Sequence, residues 1–360
     1  MSFLCKDCWV AHEPATLLAR CKVCEANSRR SRLDPLPSRA ANAGPELAER
    51  ASFVCRLHPS EPLDLFCKRC ERQLSPRAVL DDRSIIAVIG DTASGKTSLL
   101  WMLSERLRSA PDLPVKIRQP LGDTDQQLAT AVQEMLDHGR MRVTPETDAV
   151  VRNYAWELVT TNEWPARSTI VAFHDAPGEV WRTLETRSRD DYQRLYEYLD
   201  LVGSVIFIVD GERLAEQLRA AESTAVRTRA RAAEANEIAI IDAIGPRLMA
   251  RGGRIPAAIA VSKADTLWDL DPAYAVFQED SGATPDAIDD AVRKLLAACG
   301  RRAFASALDE VFAPVQYYAF SALGRTVPPG MPVDIDSIRP SRVHEPLLAL
   351  IGVEVRPANE

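Results

Sequence analysis

SIIAVIGDTASGKT, at residues 84–97, carries the clearest structural signal in this chain. Its first six residues form a short apolar run, which is typical of a buried strand. The other eight fit the spacing G-x-x-x-x-G-K-[ST], in which glycines let the backbone curl and point successive N–H groups at phosphate oxygens. Residues 97–108 follow as a predicted helix. A strand, a glycine-rich loop and a helix in this order predict a phosphate-binding loop.

Two side chains of the loop have predicted roles. Lys96 would reach the β- and γ-phosphates, and the Thr97 hydroxyl would bind Mg²⁺. The helix that begins near Lys96 adds the positive end of its dipole. The loop by itself fits an ATP-dependent kinase or motor as well as a GTPase. The candidate nucleotide-binding residues of this region are Gly90, Asp91, Thr92, Ala93, Ser94, Gly95, Lys96, Thr97 and Ser98.

The chain from residue 84 to about 355 alternates strands with helices. The Ala-, Arg- and Glu-rich stretch from 211 to 250 predicts one or two helices. Such alternation indicates a mostly parallel sheet covered by helices on both faces. We therefore expect an α/β domain over residues 84–355 with a six-stranded sheet. Besides the first strand, apolar runs predict strands at residues 153–160, 168–174, 204–210, 257–261 and 315–320.

Three short motifs each follow a predicted strand: DAPG at 175–178, SKAD at 262–265 and SAL at 321–323. Together with the loop, they resemble the TRAFAC class of P-loop GTPases over roughly residues 84–355. The resemblance implies that Asp175 holds Mg²⁺ through water and that the Gly178 N–H contacts the γ-phosphate. It also implies GTP and Mg²⁺ as cofactors.

The SKAD and SAL motifs resemble the guanine-reading segments of that class. Asp265 would accept hydrogen bonds from the guanine N1–H and exocyclic amine, while Lys263 would lie along the base. The backbone of the loop formed by Ser321, Ala322 and Leu323 would contact the guanine O6. Ser262 stands where the class usually has Asn or Thr. A simple helix N-cap is the alternative interpretation of SKAD.

The segments expected to carry catalysis are less regular. Thr147 is the candidate first-switch ligand of Mg²⁺, with Thr144 as the alternative. Ras-like GTPases place a Gln after the DxxG glycine to orient the attacking water, and this chain has Glu179 there. A carboxylate beside a γ-phosphate is repelled unless it is protonated or acts as a base. Glu179 thus predicts hydrolysis that is slow or depends on a partner, with a non-hydrolysing nucleotide site as the alternative. The candidate catalytic residues are Lys96, Gly178 and Glu179.

Seven of the eight cysteines fall within the first 70 residues. The chain shows no secretion signal, so paired cysteines indicate metal ligands rather than disulfides. Together with His58, the seven cysteines form two sets of four soft ligands, and each set suits one structural Zn²⁺. The second set resembles the start of a B-box zinc finger, but the next expected pair falls on Ser75 and Ala78. The predicted sets are Cys5, Cys8, Cys21 and Cys24, followed by Cys55, His58, Cys67 and Cys70.

We expect residues 1–80 to form a zinc-binding module with a Ser-, Arg- and Pro-rich linker at about 28–46. Thirty residues separate Cys24 from Cys55, which favours one ribbon-like zinc site per set over a cross-braced unit. Such a module is too small to fold without metal, and its expected role is to dock a partner or pack on the GTPase domain.

Bulk properties exclude several classes of protein. The net charge of −7 gives no signal for nucleic-acid binding. No apolar run has the 18 or more residues of a membrane span, and no signal peptide is evident, so a cytoplasmic location is expected.

The zinc module, the DAPGE segment and RVHEPLLALI at residues 342–351 together resemble the bacterial double-GTPase family. This resemblance implies a GTP-switched regulator that works with a protein partner, such as a second GTPase or an activating protein, in conflict or defence systems. The alternatives are a zinc-bearing scaffold with a non-hydrolysing nucleotide site and a P-loop ATPase or kinase.

Overall fold

The computed structural model describes most of the chain, and it divides the chain into two compact units. The first unit comprises residues 1–83 with the short segments 168–170 and 193–201, and the second comprises 84–167, 171–192 and 202–360. The described residues are 3–5, 11–12, 14–27, 33–42, 53–74, 82–91, 93–120, 124–138, 152–161, 168–175, 199–220, 223–250, 252–325 and 333–353.

Very short strands build the first unit, in sheets ordered β1-β2, β4-β3-β8-β9 and β5-β6-β7. Among the described residues of this unit, a 3-10 helix spans Pro14–Thr16, and the α-helices are α1 (Lys22–Asn27) and α2 (Leu36–Arg39). The strands are β1 (Phe3–Leu4), β2 (Ala11–His12), β3 (Leu18–Arg20), β4 (Asp34–Pro35), β5 (Ala40–Asn42), β6 (Phe53–Cys55), β7 (His58–Pro62), β8 (Asp64–Phe66) and β9 (Gln73–Leu74).

The segment predicted as a linker at 28–46 is structured where it is described. β4 pairs with β3 and β5 pairs with β6, so this segment contributes a strand to each of two sheets. Leu36 between them is 2% exposed and packs in a small core with Leu17, Leu63 and Leu65. The linker prediction is therefore wrong for residues 33–42. The prediction failed because two strands of two and three residues are too short to show periodicity. One buried leucine in a Ser- and Pro-rich stretch gives no recognisable pattern.

A seven-stranded sheet forms the centre of the second unit, in the order β11-β12-β13-β10-β14-β15-β16. The pairs β10–β14, β14–β15 and β15–β16 are parallel, whereas β11 and β12 are antiparallel. The strands are β10 (Asp82–Gly90), β11 (Val115–Pro120), β12 (Arg152–Thr160), β13 (Ser168–Asp175), β14 (Ser204–Asp210), β15 (Ile255–Ser262) and β16 (Phe312–Ala319).

The mostly parallel α/β fold is as predicted, but the expected count of six strands was one too few. The additional strand is β11, which lies at the edge of the sheet beside β12. Its sequence VKIRQP carries one buried residue, Val115, at its start, and exposure increases along the strand. An edge strand of this kind lacks the apolar run by which buried strands are recognised.

Two helices of the second unit lie between β14 and β15 along the chain. Asp210 caps the first by accepting a hydrogen bond from the Glu212 N–H, and Ser223 caps the second. None of the described helices is both long and apolar enough to cross a membrane. The α-helices are α3 (Lys96–Ser109), α4 (Thr124–His138), α5 (Gly211–Arg219), α6 (Thr224–Met249), α7 (Pro285–Ala298), α8 (Arg302–Val311) and α9 (Glu345–Leu350), with 3-10 helices at Ala264–Thr266, Pro272–Phe277, Glu279–Ser281 and Ile335–Ser337.

Four parallel strands end together at one edge of the sheet. Gly90, Ile208, Ala260 and Tyr318 lie in one row across β10, β14, β15 and β16. The chain leaves each strand shortly after this row. The carboxyl edge of such a sheet is where ligands bind in open α/β folds.

Candidate functional site

The phosphate loop leaves β10 at Gly90 in a tight curl. Ala93 and Gly95 both have positive φ angles, 63° and 90°, which turn the backbone before α3 begins at Lys96. A Cβ atom built on Gly90 would lie 2.7 Å from the carbonyl oxygen of Ile208. A residue larger than glycine therefore does not fit at position 90. Glycine at this position lets the backbone turn tightly and present its N–H groups to a ligand.

Lys96 lies inside this curl. Its Nζ donates hydrogen bonds to the carbonyl oxygens of Gly90 and Asp91, both at 2.9 Å, and the residue is 8% exposed. Ser94 is buried beside it, and its hydroxyl has no hydrogen-bond partner within the part of the chain that the structure describes. An ammonium group and an unpartnered hydroxyl within the curl suit a phosphate ligand. Thr97 and Ser98 follow on the first turn of α3, while Thr92 lies outside the described residues.

The predicted guanine-reading segments are in contact with each other. The Ser321 hydroxyl donates to Asp265 Oδ1 at 2.5 Å, and the Ala264 N–H donates to the Phe320 carbonyl at 3.1 Å. The Gly324 N–H donates to the Ser321 hydroxyl at 2.9 Å. SKAD and SAL therefore form one structural unit in which the Asp265 carboxylate is held in place.

A segment near the C-terminus supports the loop that contains Ala322 and Leu323. Ser321 and Ser341 exchange two backbone hydrogen bonds, at 3.0 and 2.8 Å. The Arg339 N–H also donates to the Leu323 carbonyl at 3.0 Å. Sequence reasoning missed this support, because an isolated bridge between distant residues leaves no local pattern.

Lys263 adopts a left-handed backbone conformation, with φ 50°. Its Nζ donates to Asp210 Oδ2 at 3.1 Å and to Glu212 Oε2 at 2.9 Å. Burial lowers the pKa of Lys263, but the two carboxylates outweigh burial and raise it, so the side chain is charged. The preceding Ser262 donates from its hydroxyl to the Val209 carbonyl at 3.3 Å, within the sheet.

Several predicted site residues cannot be placed. Asp175 is the last residue of β13, but its side chain is not among those described. The other predicted switch and catalytic residues, which are Thr144, Thr147, Gly178 and Glu179, lie outside the described ranges. Their roles therefore stay predictions from the sequence.

Comparison with known proteins assigns the second unit to a family. A family model described as Double-GTPase 2 matches residues 84–322. This chain belongs to the Double-GTPase 2 family. The family match favours GTP over ATP as the nucleotide, and the site geometry above is therefore that of a P-loop GTPase.

Two solved GTPase structures match this family member with low sequence identity and low TM-scores. The small GTPase Arl6/BBS3 of Trypanosoma brucei with bound GppNp is 14% identical, with a TM-score of 0.35; the match covers 75% of this chain and 96% of that one. The signal recognition particle receptor complex SRb-GTP/SRX of Chaetomium thermophilum is 16% identical, with a TM-score of 0.32, and the match covers 67% and 94%. Comparison with curated proteins gave no match.

The described cysteines of the first 70 residues precede the residues matched to the Double-GTPase 2 family. With His58 they form two groups that differ from the predicted sets. In each group, the possible ligand atoms all lie within 4.8 Å of one another. The prediction that each zinc takes four consecutive ligands is therefore wrong. Cys8, a predicted ligand, lies outside the described residues. The two groups are Cys21, Cys24, Cys55 and His58, and Cys5, Cys67 and Cys70.

Strand pairing explains why the ligands regroup. β3 runs antiparallel to β8, so Cys21 and Cys67, which follow these strands, leave the sheet at opposite ends. Within the segment 33–42, β4 pairs with β3, which precedes Cys21, and β5 pairs with β6, which contains Cys55. This segment therefore connects the strand that leads to Cys21 with the strand that contains Cys55. The spacing of cysteines along the chain does not report such long-range pairing.

The distances within the four-ligand group fit a tetrahedral zinc ion. Zn–S bonds of about 2.3 Å and Zn–N bonds of about 2.0 Å place the ligand atoms roughly 3.5–3.8 Å apart. The Sγ atoms of Cys24 and Cys55 are 3.7 Å apart, and Nδ1 of His58 lies 3.3 Å from Cys24 Sγ and 3.7 Å from Cys21 Sγ. A disulfide requires sulfur atoms about 2.05 Å apart, so these are not oxidised pairs.

The ionisation of these thiols also suits a cation. Burial raises the pKa of Cys24 to about 11, and the neighbouring thiols of Cys55 and Cys21 add to this shift. Burial also raises the pKa of Cys55, but hydrogen bonds from His58 and from the Leu57 backbone outweigh it and lower the value to about 7. Thiolates this close together repel one another, and a divalent cation among them offsets that repulsion.

Proposed function

We propose that this chain is a GTP-switched regulator whose phosphate loop, residues 90–97, binds the GTP phosphates and whose Asp265 reads guanine. The observation that carries the proposal is the hydrogen bond between Asp265 and Ser321. It holds a carboxylate beside the SAL loop at the edge of the sheet where the phosphate loop also begins. A carboxylate accepts from the adjacent N1–H and amine of guanine, whereas adenine offers no such donor pair.

Mg²⁺ would be held by Thr97 on the first turn of α3, with Asp175 through water and Thr147 from the first switch segment. At this position Mg²⁺ would supply positive charge that offsets the phosphate charge. Lys96 would move its hydrogen bonds from the loop carbonyls to phosphate oxygens. The Gly178 N–H would contact the γ-phosphate.

We propose that hydrolysis is slow or depends on a partner, because Glu179 stands where a neutral Gln orients water in Ras-like GTPases. A partner would then supply the group that orients water or stabilises charge. The same residue favours a second candidate, a scaffold that binds GTP without hydrolysing it. Single-turnover hydrolysis of bound GTP, measured with and without Mg²⁺, separates a slow enzyme from a non-hydrolysing site.

The cysteine groups are proposed to bind two structural zinc ions: one held by Cys21, Cys24, Cys55 and His58, the other by Cys5, Cys67 and Cys70 with Cys8. Four such ligands leave no open position for catalysis, so zinc would stabilise the fold of residues 1–80. The zinc module would dock a protein partner, such as a second GTPase or an activating protein. A role in a bacterial conflict or defence system and a cytoplasmic location belong to the same proposal.

The test is to identify the nucleotide and metal that copurify with the protein when none is added. We expect guanine nucleotide together with zinc. Adenine nucleotide in place of guanine nucleotide would overturn the proposal of a guanine reader.

A further inference from the structure

Asp91 is an acidic residue of the phosphate loop. It is the second residue of GDTASGKT, it is 5% exposed, and it carries a carboxylate. An anion in this position opposes the binding of phosphate unless a cation accompanies it. The proposed function uses the backbone of this loop and assigns no role to the Asp91 side chain.

Arg213 supplies such a cation. Its Nη1 lies 2.8 Å from Asp91 Oδ2, and the two residues are 122 positions apart in the chain. Burial lowers the pKa of Arg213, but the hydrogen bond to Asp91 and the charges of Asp210 and Asp91 outweigh burial and raise it. The guanidinium therefore stays charged beside the phosphate loop.

The same arginine connects the phosphate loop to the guanine-reading segment. Its Nε lies 3.7 Å from Asp210 Oδ2, and that oxygen also lies 3.1 Å from Lys263 Nζ. Glu212 closes the group with a second contact to Lys263, at 2.9 Å. Cations and carboxylates thus alternate from Asp91 to Lys263.

The first turn of α5 lies between the phosphate loop and the SKAD segment. It follows β14, which lies between β10 and β15 in the sheet. A Cβ atom built on Gly211 would lie 2.1 Å from the carbonyl oxygen of Ser262, so the turn packs directly against the start of SKAD. Arg213 is held by the same turn.

We infer that Arg213 is a positioning residue for the nucleotide site: it neutralises Asp91 and fixes the phosphate loop relative to the guanine-reading segment. Arg213 acts through Asp91 and needs no contact with the nucleotide. The inference rests on the proposed function, because it concerns how this same site binds GTP.

A double-mutant cycle on the full chain tests this inference through nucleotide affinity. Arg213→Gln leaves the Asp91 carboxylate without this cation, and we expect GTP affinity to fall roughly tenfold, a value that allows for the partial exposure of Arg213. The loss should be larger for GTP than for GDP or GMP and should shrink in high salt, because it is a repulsion between charges. Asp91→Asn should have a small effect, and Arg213→Gln combined with Asp91→Asn should bind GTP nearly as well as Asp91→Asn alone.

Two further variants serve as controls. Arg213→Lys keeps the charge, so it should retain most of the affinity. Arg229→Gln removes an exposed ion pair between α6 and Glu216 of α5, and it should leave GTP binding unchanged.

The outcomes separate this inference from the proposed function. The inference is overturned if Arg213→Gln binds GTP like the wild type, or if it costs as much in the Asp91→Asn background as in the wild type. If Arg213→Gln alone does not fold, a loss of GTP affinity of about tenfold between Asp91→Asn and the double variant overturns the inference. Failure of the wild-type protein to bind GTP would instead overturn the proposed function.

Discussion

At the scale of single residues, Lys96 is the side chain on which phosphate binding depends most. Its ammonium group already bridges two carbonyl oxygens of the loop. Lys96→Ala removes the only point charge that the loop motif directs at the β- and γ-phosphates, so we expect nucleotide binding to be lost. Fluorescent GTP titration measures this, with Lys294→Ala, an exposed change on α7, as the control. Unchanged GTP affinity in Lys96→Ala would show that the loop does not bind phosphate.

Asp265 determines base choice in this account. Asp265→Asn keeps one acceptor and adds a donor, which pairs with the extra carbonyl of xanthine. GTP binding should weaken by about 1.5–3 kcal/mol, roughly ten- to a hundredfold, while xanthosine triphosphate gains affinity. Competition of each nucleotide against a fluorescent analogue measures both changes in affinity. If the variant binds GTP as tightly as the wild type, SKAD is a helix cap and nothing more.

At the scale of elements, a buried ion pair joins α6 to the residue that precedes α8. Glu237 and Arg301 are in direct contact, and each is 2% exposed. Arg301→Met leaves the Glu237 carboxylate buried without its cation, which should cost about 3–5 kcal/mol of unfolding free energy. Replacing both residues, Arg301→Met with Glu237→Leu, should recover most of this loss.

Urea denaturation followed by circular dichroism measures these differences. Arg229→Gln again provides the matched control, because both side chains of the Arg229–Glu216 ion pair are exposed. This pair should contribute about 0–1 kcal/mol to the free energy of unfolding. Equal losses in Arg301→Met and in the double variant would contradict the account of a buried pair.

Sequence patterns predicted the elements whose signal is local. The apolar run at 204–210 predicts β14 with correct bounds, and every residue of that strand is buried. β11 was missed because an edge strand exposes most of its side chains. The ion pair between Arg213 and Asp91 could not be predicted, because residues 122 positions apart leave no pattern in the local sequence.

At the scale of the whole molecule, the sequence-based prediction and the structure group the proposed zinc ligands differently. The structure groups Cys21 with Cys55 and His58, whereas consecutive spacing groups Cys21 with Cys5. The sequence supplied the ligand types, and long-range strand pairing determined which of them meet.

Zinc content of variants distinguishes the two groupings. The wild type should hold about two zinc ions per chain, and Cys21→Ser should lose one. Cys21→Ser combined with His58→Ala should still hold about one, because both changes fall in the same group. Consecutive grouping requires that this double variant lose both ions. Cys299→Ser changes a cysteine far outside residues 1–83 and should keep the wild-type content.

The central claim is that the second unit is a guanine-specific P-loop GTPase, and the most direct measurement is a competition between GTP and ATP on the full-length wild-type protein with Mg²⁺. A charge-assisted pair of hydrogen bonds from guanine to Asp265 predicts that GTP binds at least about tenfold more tightly than ATP. Equal affinity for the two nucleotides, or a preference for ATP, would contradict the account.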